Sequence, residues 1–110
     1  MRNFYTAVIE RAQPVRGQHV TEPYETGWAD EALVFVKVRS GLAEHSSLSA
    51  QVQVSPDGID WVDLPGQAAS IRDASLAAIQ LHNFGGWLRV TLAADQDEPV
   101  LASVYLALKG

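Results

Sequence analysis

Clustered carboxylates are the residues of this chain that come nearest to a chemical motif. Asp57, Asp60 and Asp63 recur at every third position, and a second acidic group occupies residues 95–98. Calcium needs six or more oxygen ligands from a tightly curved loop, and the ligand spacing of an EF-hand is missing. We interpret Asp57 as a turn residue, and Asp60 and Asp63 as the solvent side of a strand. The second group is typical of a charged loop, so the sequence predicts no metal site and no cofactor.

Histidines are the next candidates for chemistry, and they lie far apart in the sequence. His19, His45 and His82 each fall in or beside an expected loop, without the spacing of a zinc pair. The chain has no Cys and no GxSxG turn, which excludes a thiol nucleophile and the usual serine elbow. We therefore expect no catalytic residues and no enzyme. A small hydrolase that uses two carboxylates or a His–acid pair within a pocket remains the enzymatic alternative.

Six large aromatic residues leave two interpretations open. They are Trp28, Trp61, Trp87, Tyr5, Tyr24 and Tyr105. Exposed rings could stack on sugars, as in carbohydrate-binding modules. The favoured interpretation is that Trp61 and Trp87 pack over a sheet face or close one end of the fold, where large rings contribute most burial. An exposed aromatic patch would indicate a protein interface.

Composition indicates one globular domain over residues 1–110. Hydrophobic residues make up 47% of the 110 residues, charged residues only 19%, and the net charge is −5. Nucleic-acid binding needs clustered basic residues, and the eight here are scattered, so we expect no nucleic-acid partner. We also expect no membrane span and no secretory signal, and hence a cytoplasmic site of synthesis.

The stretch from Leu48 to Leu64 carries the clearest secondary-structure signal. Apolar and polar residues alternate from Leu48 to Ser55, which is the pattern of a half-buried strand. Pro56–Gly58 supplies a tight turn, in which Pro fixes φ and Gly accepts a positive φ. Val62 and Leu64 then resume an inward face. This hairpin predicts antiparallel sheet.

The rest of the chain has the same character. Six further stretches have the composition of strands: residues 3–11, 24–28, 32–39, 76–81, 87–92 and 100–108. We expect an extended arm or loop at 12–23, an end to the hairpin at Pro65-Gly66, and a loop with room for one helical turn at 67–74. About seven or eight short strands with regular turn signals predict an all-β, antiparallel sandwich of jelly-roll type.

Ser55 to Trp61, SPDGIDW, resembles the S-x-D-G-x-x-W hairpin of discoidin-like jelly rolls and of many small virion proteins. The chain lacks the paired cysteines of the discoidin pattern. A wider likeness from about Tyr24 to Gly110 is to small structural proteins of tailed phages. It rests on the segments TGWADEALVFVKVRSG, SLSAQVQVSPDGIDWVDLPG, GWLRVTLA and ASVYLALKG.

The phage resemblance implies a virion component with a β-sandwich fold. The expected function is that of a non-enzymatic capsid decoration (cement) protein, which would bind the major capsid protein and stabilise the head lattice. Homo-oligomers, such as trimers, are expected, with the virion as the final location. The alternative is a carbohydrate- or host-surface-binding module on a tail or fibre.

Overall fold

The structure is a computed structural model that describes residues 4–73, 75–82, 84 and 86–110. Nine β-strands make up the regular structure of these residues. The strands are β1 (Phe4–Val15), β2 (Gln18–Val20), β3 (Tyr24–Glu25), β4 (Glu31–Ser40), β5 (Leu48–Ser55), β6 (Val62–Ile71), β7 (Leu76–His82), β8 (Trp87–Ala94) and β9 (Val100–Lys109). Within these ranges no helix is long and apolar enough to cross a membrane.

The strands form two antiparallel sheets. The first sheet has the order β1-β9-β4-β7, and the second has the order β2-β8-β5-β6, with β3 also paired to β8. If β2 and β3 are counted as one interrupted strand, each sheet has four positions, filled by strands that are mostly distant in sequence. This is the arrangement of a jelly roll, and the predicted all-β sandwich is confirmed.

The core lies between the two sheets and follows the alternation of the strands. On β4, Val34, Val36 and Val38 are buried, whereas Lys37 and Arg39 face solvent. On β5, Leu48 and Val52 meet the same core from the opposite sheet. The apolar inner face of each sheet thus packs against the apolar inner face of the other sheet, as expected for face-to-face packing.

Within residues 12–23, where an arm or loop was expected, residues 12–15 and 18–20 are strands, and only 16–17 and 21–23 are irregular. β1 continues to Val15, and Pro14 lies opposite Leu101 on the neighbouring strand. Proline has no N–H to donate, but β1 is the edge strand of its sheet, where one side of the backbone needs no partner. Beyond the turn at Gly17, the Thr21 amide donates to the Val90 carbonyl at 2.9 Å, which fixes the segment to the second sheet.

The expected end of the hairpin at Pro65-Gly66 is also wrong, because β6 continues to Ile71. The four residues 64–67 form a bulge between the pairs Gln53–Asp63 and Gln51–Ala68. The Gln51 side-chain amide donates to the carbonyls of Leu64 and Gln67 and so replaces ladder bonds that the bulge removes.

The expected loop at 67–74 is wrong for residues 67–71, which belong to β6, whereas residues 72 and 73 do lie in a connection. The strand carries the buried Ile71, and position 74 lies outside the described residues. Leu64 packs against the core as expected. Val62 does not resume a buried face: it is 62% exposed at the start of an edge strand.

Two leucines on β7 test the position of the core. Leu81 is fully buried and Leu76 is 58% exposed. We expect Leu81→Ala to lower the free energy of unfolding by about 2–5 kcal/mol, because it removes apolar contacts and leaves a cavity. The matched Leu76→Ala change should cost less than about 1 kcal/mol. Urea denaturation measures both, and equal losses would contradict this assignment of the inner face.

Candidate interaction surfaces

The turn between β5 and β6 is built by side-chain bonds to the backbone. The buried Ser55 hydroxyl accepts hydrogen bonds from the amides of Asp57 (3.2 Å) and Gly58 (2.8 Å). The Asp57 carboxylate accepts from the amides of Ile59 (2.9 Å) and Asp60 (3.1 Å), and from the Ser55 hydroxyl. The turn therefore holds one conformation without help from a partner.

Packing against Trp87 fixes the same turn from the side. Gly58 has φ +79°, and a Cβ placed there would lie 3.3 Å from the Trp87 ring. Only glycine satisfies both the backbone conformation and the close approach of the ring. The tip of the turn then holds Ile59 with 77% of its surface exposed.

A network of contacts between side chains covers part of the outer face of the second sheet. The Arg89 guanidinium lies over the Trp61 ring, 4.3 Å from its centroid, and its Nε donates to Gln53 Oε1 at 2.8 Å. Gln53 in turn donates to Asp63 Oδ1 at 2.9 Å. This cation–π stack and its hydrogen bonds order the outer face beside the turn.

The tryptophans therefore occupy different environments. Trp61 and Trp87 are half-buried in the contacts just described, in line with the packing interpretation. Trp28 is 42% exposed in the connection from β3 to β4. A Cβ at Gly110 would lie 2.9 Å from the Trp28 ring, so the last residue packs against it. Among the tyrosines, Tyr5 is exposed while Tyr24 and Tyr105 are half-buried.

The histidines are not brought together. His19 Nε2, on β2, lies 3.5 Å from Glu10 Oε1, on β1. His45 sits in the β4–β5 loop with φ 66°, and His82 ends β7. In the part of the chain that the structure describes, no three His, Asp or Glu side chains are grouped to hold a metal ion.

The second acidic group has a structural role. Both oxygens of Asp95 accept from Ser47, one from its amide at 2.6 Å and one from its hydroxyl at 3.2 Å. Gln96 accepts from the Ala43 amide and donates to the Gly41 carbonyl, each at 2.8 Å. These bonds join the β4–β5 loop to the β8–β9 loop at one end of the sandwich. Asp97 and Glu98 are exposed there.

The outer face of the first sheet is apolar at its centre. Six residues of this outer apolar face come from all four strands: Val8, Leu33, Phe35, Leu76, Ala78 and Tyr105. Val8 and Leu76 are 40% and 58% exposed. The outer face of the second sheet is different, because Ser49, Gln51 and Thr91 lie side by side there. One sheet thus presents an apolar surface and the other a polar one.

A small depression lies at the edge of the outer apolar face. Its volume is about 80 Å³, and its polar lining comes from Glu31, Gln80, His82 and Lys109. Small-molecule sites in proteins are usually several times larger, at about 300–1,000 Å³. Two larger hollows are wide open to solvent: one of about 340 Å³ lies over Gln51 and Thr91, and one of about 570 Å³ lies between Ala78 and the bulge of β6. Because these hollows belong to the sheet faces, we regard the two sheet faces and the rigid turn as the candidate functional surfaces.

Comparison with known proteins identifies the fold. Neither a protein-family model nor a curated protein matches the sequence. The PBSX exported protein XepA superposes with a TM-score of 0.71 at 7% identity, over 94% of this chain and 36% of XepA. The SPBc2 prophage-derived protein YomS superposes with a TM-score of 0.65 at 10% identity, over 100% of this chain and 96% of YomS.

A viral particle protein shares the fold as well. VP2 of infectious bursal disease virus, from a subviral particle, superposes with a TM-score of 0.66 at 10% identity, over 98% of this chain and 32% of VP2. The chain thus spans about a third of the length of XepA and of VP2. At these identities the likeness concerns the fold.

Asp57 provides a pH test of the turn. Hydrogen bonds from the amides of Asp60 and Ile59 and from the Ser55 hydroxyl lower the pKa of Asp57 below 3.8. A carboxyl with a lowered folded-state pKa contributes stability that is present above the unfolded-state value and lost as the pH falls through the folded-state value. We therefore expect this contribution to be complete above about pH 4 and to disappear at lower pH.

Replacement of Asp57 by asparagine tests the effect of its charge separately from that of its hydrogen-bond geometry. Asp57→Asn keeps an acceptor oxygen but cannot ionise, so the variant should lose less stability than the parent between about pH 5 and pH 2.5. Urea midpoints across this range measure the difference. Asp60→Asn is the control, since it removes a charge from the same turn but none of these bonds. Identical pH profiles for Asp57→Asn and the parent would contradict the assigned role of the carboxylate.

Proposed function

We propose that this protein is a non-enzymatic structural component of a phage particle, and specifically a capsid decoration protein. The observation that carries the proposal is its jelly-roll fold, shared over nearly the whole chain with two phage-derived proteins and with a viral particle protein. Fold by itself does not assign function, so the surfaces must supply the rest of the argument.

The β5–β6 turn is suited to docking on a protein lattice. Ile59 projects from it with 77% exposure, and hydrogen bonds from Ser55 and Asp57 already hold the backbone in place. A preorganised apolar side chain loses little conformational entropy when it enters a pocket. We therefore assign Ile59 as the anchor that contacts the major capsid protein.

Charge limits the kind of partner that this anchor fits. Asp57 and Asp60 flank Ile59, and the whole chain carries a net charge of −5. Such a tip complements an apolar pocket with a basic rim and disfavours a nucleic-acid surface. Many copies on one capsid would act together, so each single contact need only be weak.

Binding to capsids tests the proposal directly. Purified protein is mixed with expanded heads assembled from the major capsid protein of the same genome. We expect saturable co-sedimentation and a higher melting temperature of the heads, because a ligand that binds only the assembled state stabilises it. Ile59→Asp should weaken binding by at least about tenfold, as expected for loss of an interface anchor.

Val20→Asp is the matched control, since Val20 is a 46% exposed apolar residue on β2 of the same sheet. It should bind like the parent. Absence of binding at saturating parent protein would refute the decoration function. Binding by the parent and by Ile59→Asp with equal affinity would refute only the choice of anchor.

Exposure of Trp28 favours a second candidate, a carbohydrate- or host-surface-binding module on a tail or fibre. This ring is the most exposed of the three tryptophans and could stack on a sugar. The prediction is quenching of tryptophan fluorescence by at least one member of a glycan panel, and its loss in Trp28→Ala. Trp61→Ala should retain the quenching, because the Trp61 ring is engaged by Arg89. A flat response across the panel would exclude this function.

A further inference from the structure

We propose that the outer apolar face of the first sheet is a self-association surface, on which two copies of this chain pack with two-fold symmetry. The face is central in the sheet and is drawn from all four strands. One cross-strand row, Val8–Tyr105–Phe35–Ala78, is apolar from edge to edge. A single exposed apolar residue is ordinary on a protein surface, but a continuous row marks an interaction site.

Contrast with the other sheet argues that this pattern is not a general property of the chain. On the outer face of the second sheet, the corresponding central positions are Gln51, Gln53, Arg89 and Thr91, several of which hydrogen-bond one another. The outer face of the second sheet is therefore polar and favours contact with water. The central row of the outer apolar face carries no amide, guanidinium or carboxylate group, and the nearby Ser103 hydroxyl already donates to the Arg11 carbonyl. Contact with protein is therefore more favourable there than hydration.

The shape of the face is complementary to itself. A two-fold axis that lies in the sheet plane and crosses β4 between Leu33 and Phe35 would place Leu33 of one copy over Phe35 of the other. The same axis crosses β9 between Tyr105 and Ala107, because these residues share rows with Phe35 and Leu33. The large Tyr105 ring would then meet the small Ala107 of the second copy, as close packing of two faces requires.

The charges at the two ends of the face support the same register. Glu31 and Lys37 lie at equal distances from the proposed axis, on opposite sides of it along β4. The two-fold operation therefore places Glu31 of each copy, which lies beside Lys109 of its own chain, near Lys37 of the other copy, twice per dimer. An isologous interface repeats each contact in this way, so a favourable pairing counts twice.

The size of the face predicts a weak dimer. Four strands spaced about 4.8 Å apart, with about seven residues each at ~3.3 Å, give a face of roughly 19 by 23 Å. The facing areas of two copies sum to about 900 Å², which is below the roughly 1,200–2,000 Å² that specific, stable interfaces bury. We expect a dissociation constant of about 10–100 µM, a concentration range that a locally concentrated protein reaches.

Sedimentation velocity from about 5 to 500 µM tests the dimer, with one exposed apolar residue on each sheet as a pair. Ala78 lies in the apolar row on β7, and Val20 lies on β2, an edge strand of the other sheet. We expect Ala78→Asp to weaken dimerisation at least tenfold, because it brings two unpaired charges into one interface. Val20→Asp should match the parent, and circular dichroism confirms that both variants fold.

A charge exchange tests the register. Lys37→Glu should weaken the dimer severalfold by facing the Glu31 of the second copy. The double variant Glu31→Lys/Lys37→Glu should recover part of the loss, because position 31 also lies beside Lys109 of its own chain. A parent that stays monomeric at 500 µM overturns the proposal and assigns the face to another protein. A dimer that Ala78→Asp leaves intact also overturns it, since self-association must then use a different surface.

Discussion

Burial of apolar side chains between the two sheets is the interaction on which the rest of this structure depends. The chain contains no Cys, and its described residues form no helix, so packing across the sandwich must hold the sheets together. The strands that pair are far apart in sequence: β1 joins β9, and β9 joins β4. The core can therefore form only when most of the chain is in place, which favours cooperative and comparatively slow folding.

Alternation in the sequence predicted the strands that face the core on one side only. β4 and β5 lie where the pattern placed them, because each has a water-facing and a core-facing side. The failures lie at Pro14 and Pro65-Gly66, where local turn signals suggested interruption. Neighbouring strands decided otherwise: β1 and β6 are edge strands, and an edge tolerates proline and bulges that an interior strand would not.

The candidate surfaces were harder to predict, because they are assembled from distant segments. Alternation along β4 places Leu33 and Phe35 on the side away from the core, at the opposite end from the basic Lys37. It could not place Val8 and Tyr105 beside them, since that depends on the order of the strands. The exposure of Trp28 likewise follows from the connection that carries it rather than from its neighbours in sequence.

The SPDGIDW hairpin illustrates how a short sequence can specify structure and leave function open. In SPDGIDW the serine and aspartate hold the backbone by hydrogen bonds, and the glycine accepts the positive φ and the nearby Trp87 ring. Any sandwich that needs this turn gains from the same residues, so the motif can recur without shared activity. Ile59 occupies a position that the motif leaves unspecified, yet it is the most exposed part of the turn's apolar surface. Recognition can therefore vary at this position while the turn beneath it stays the same.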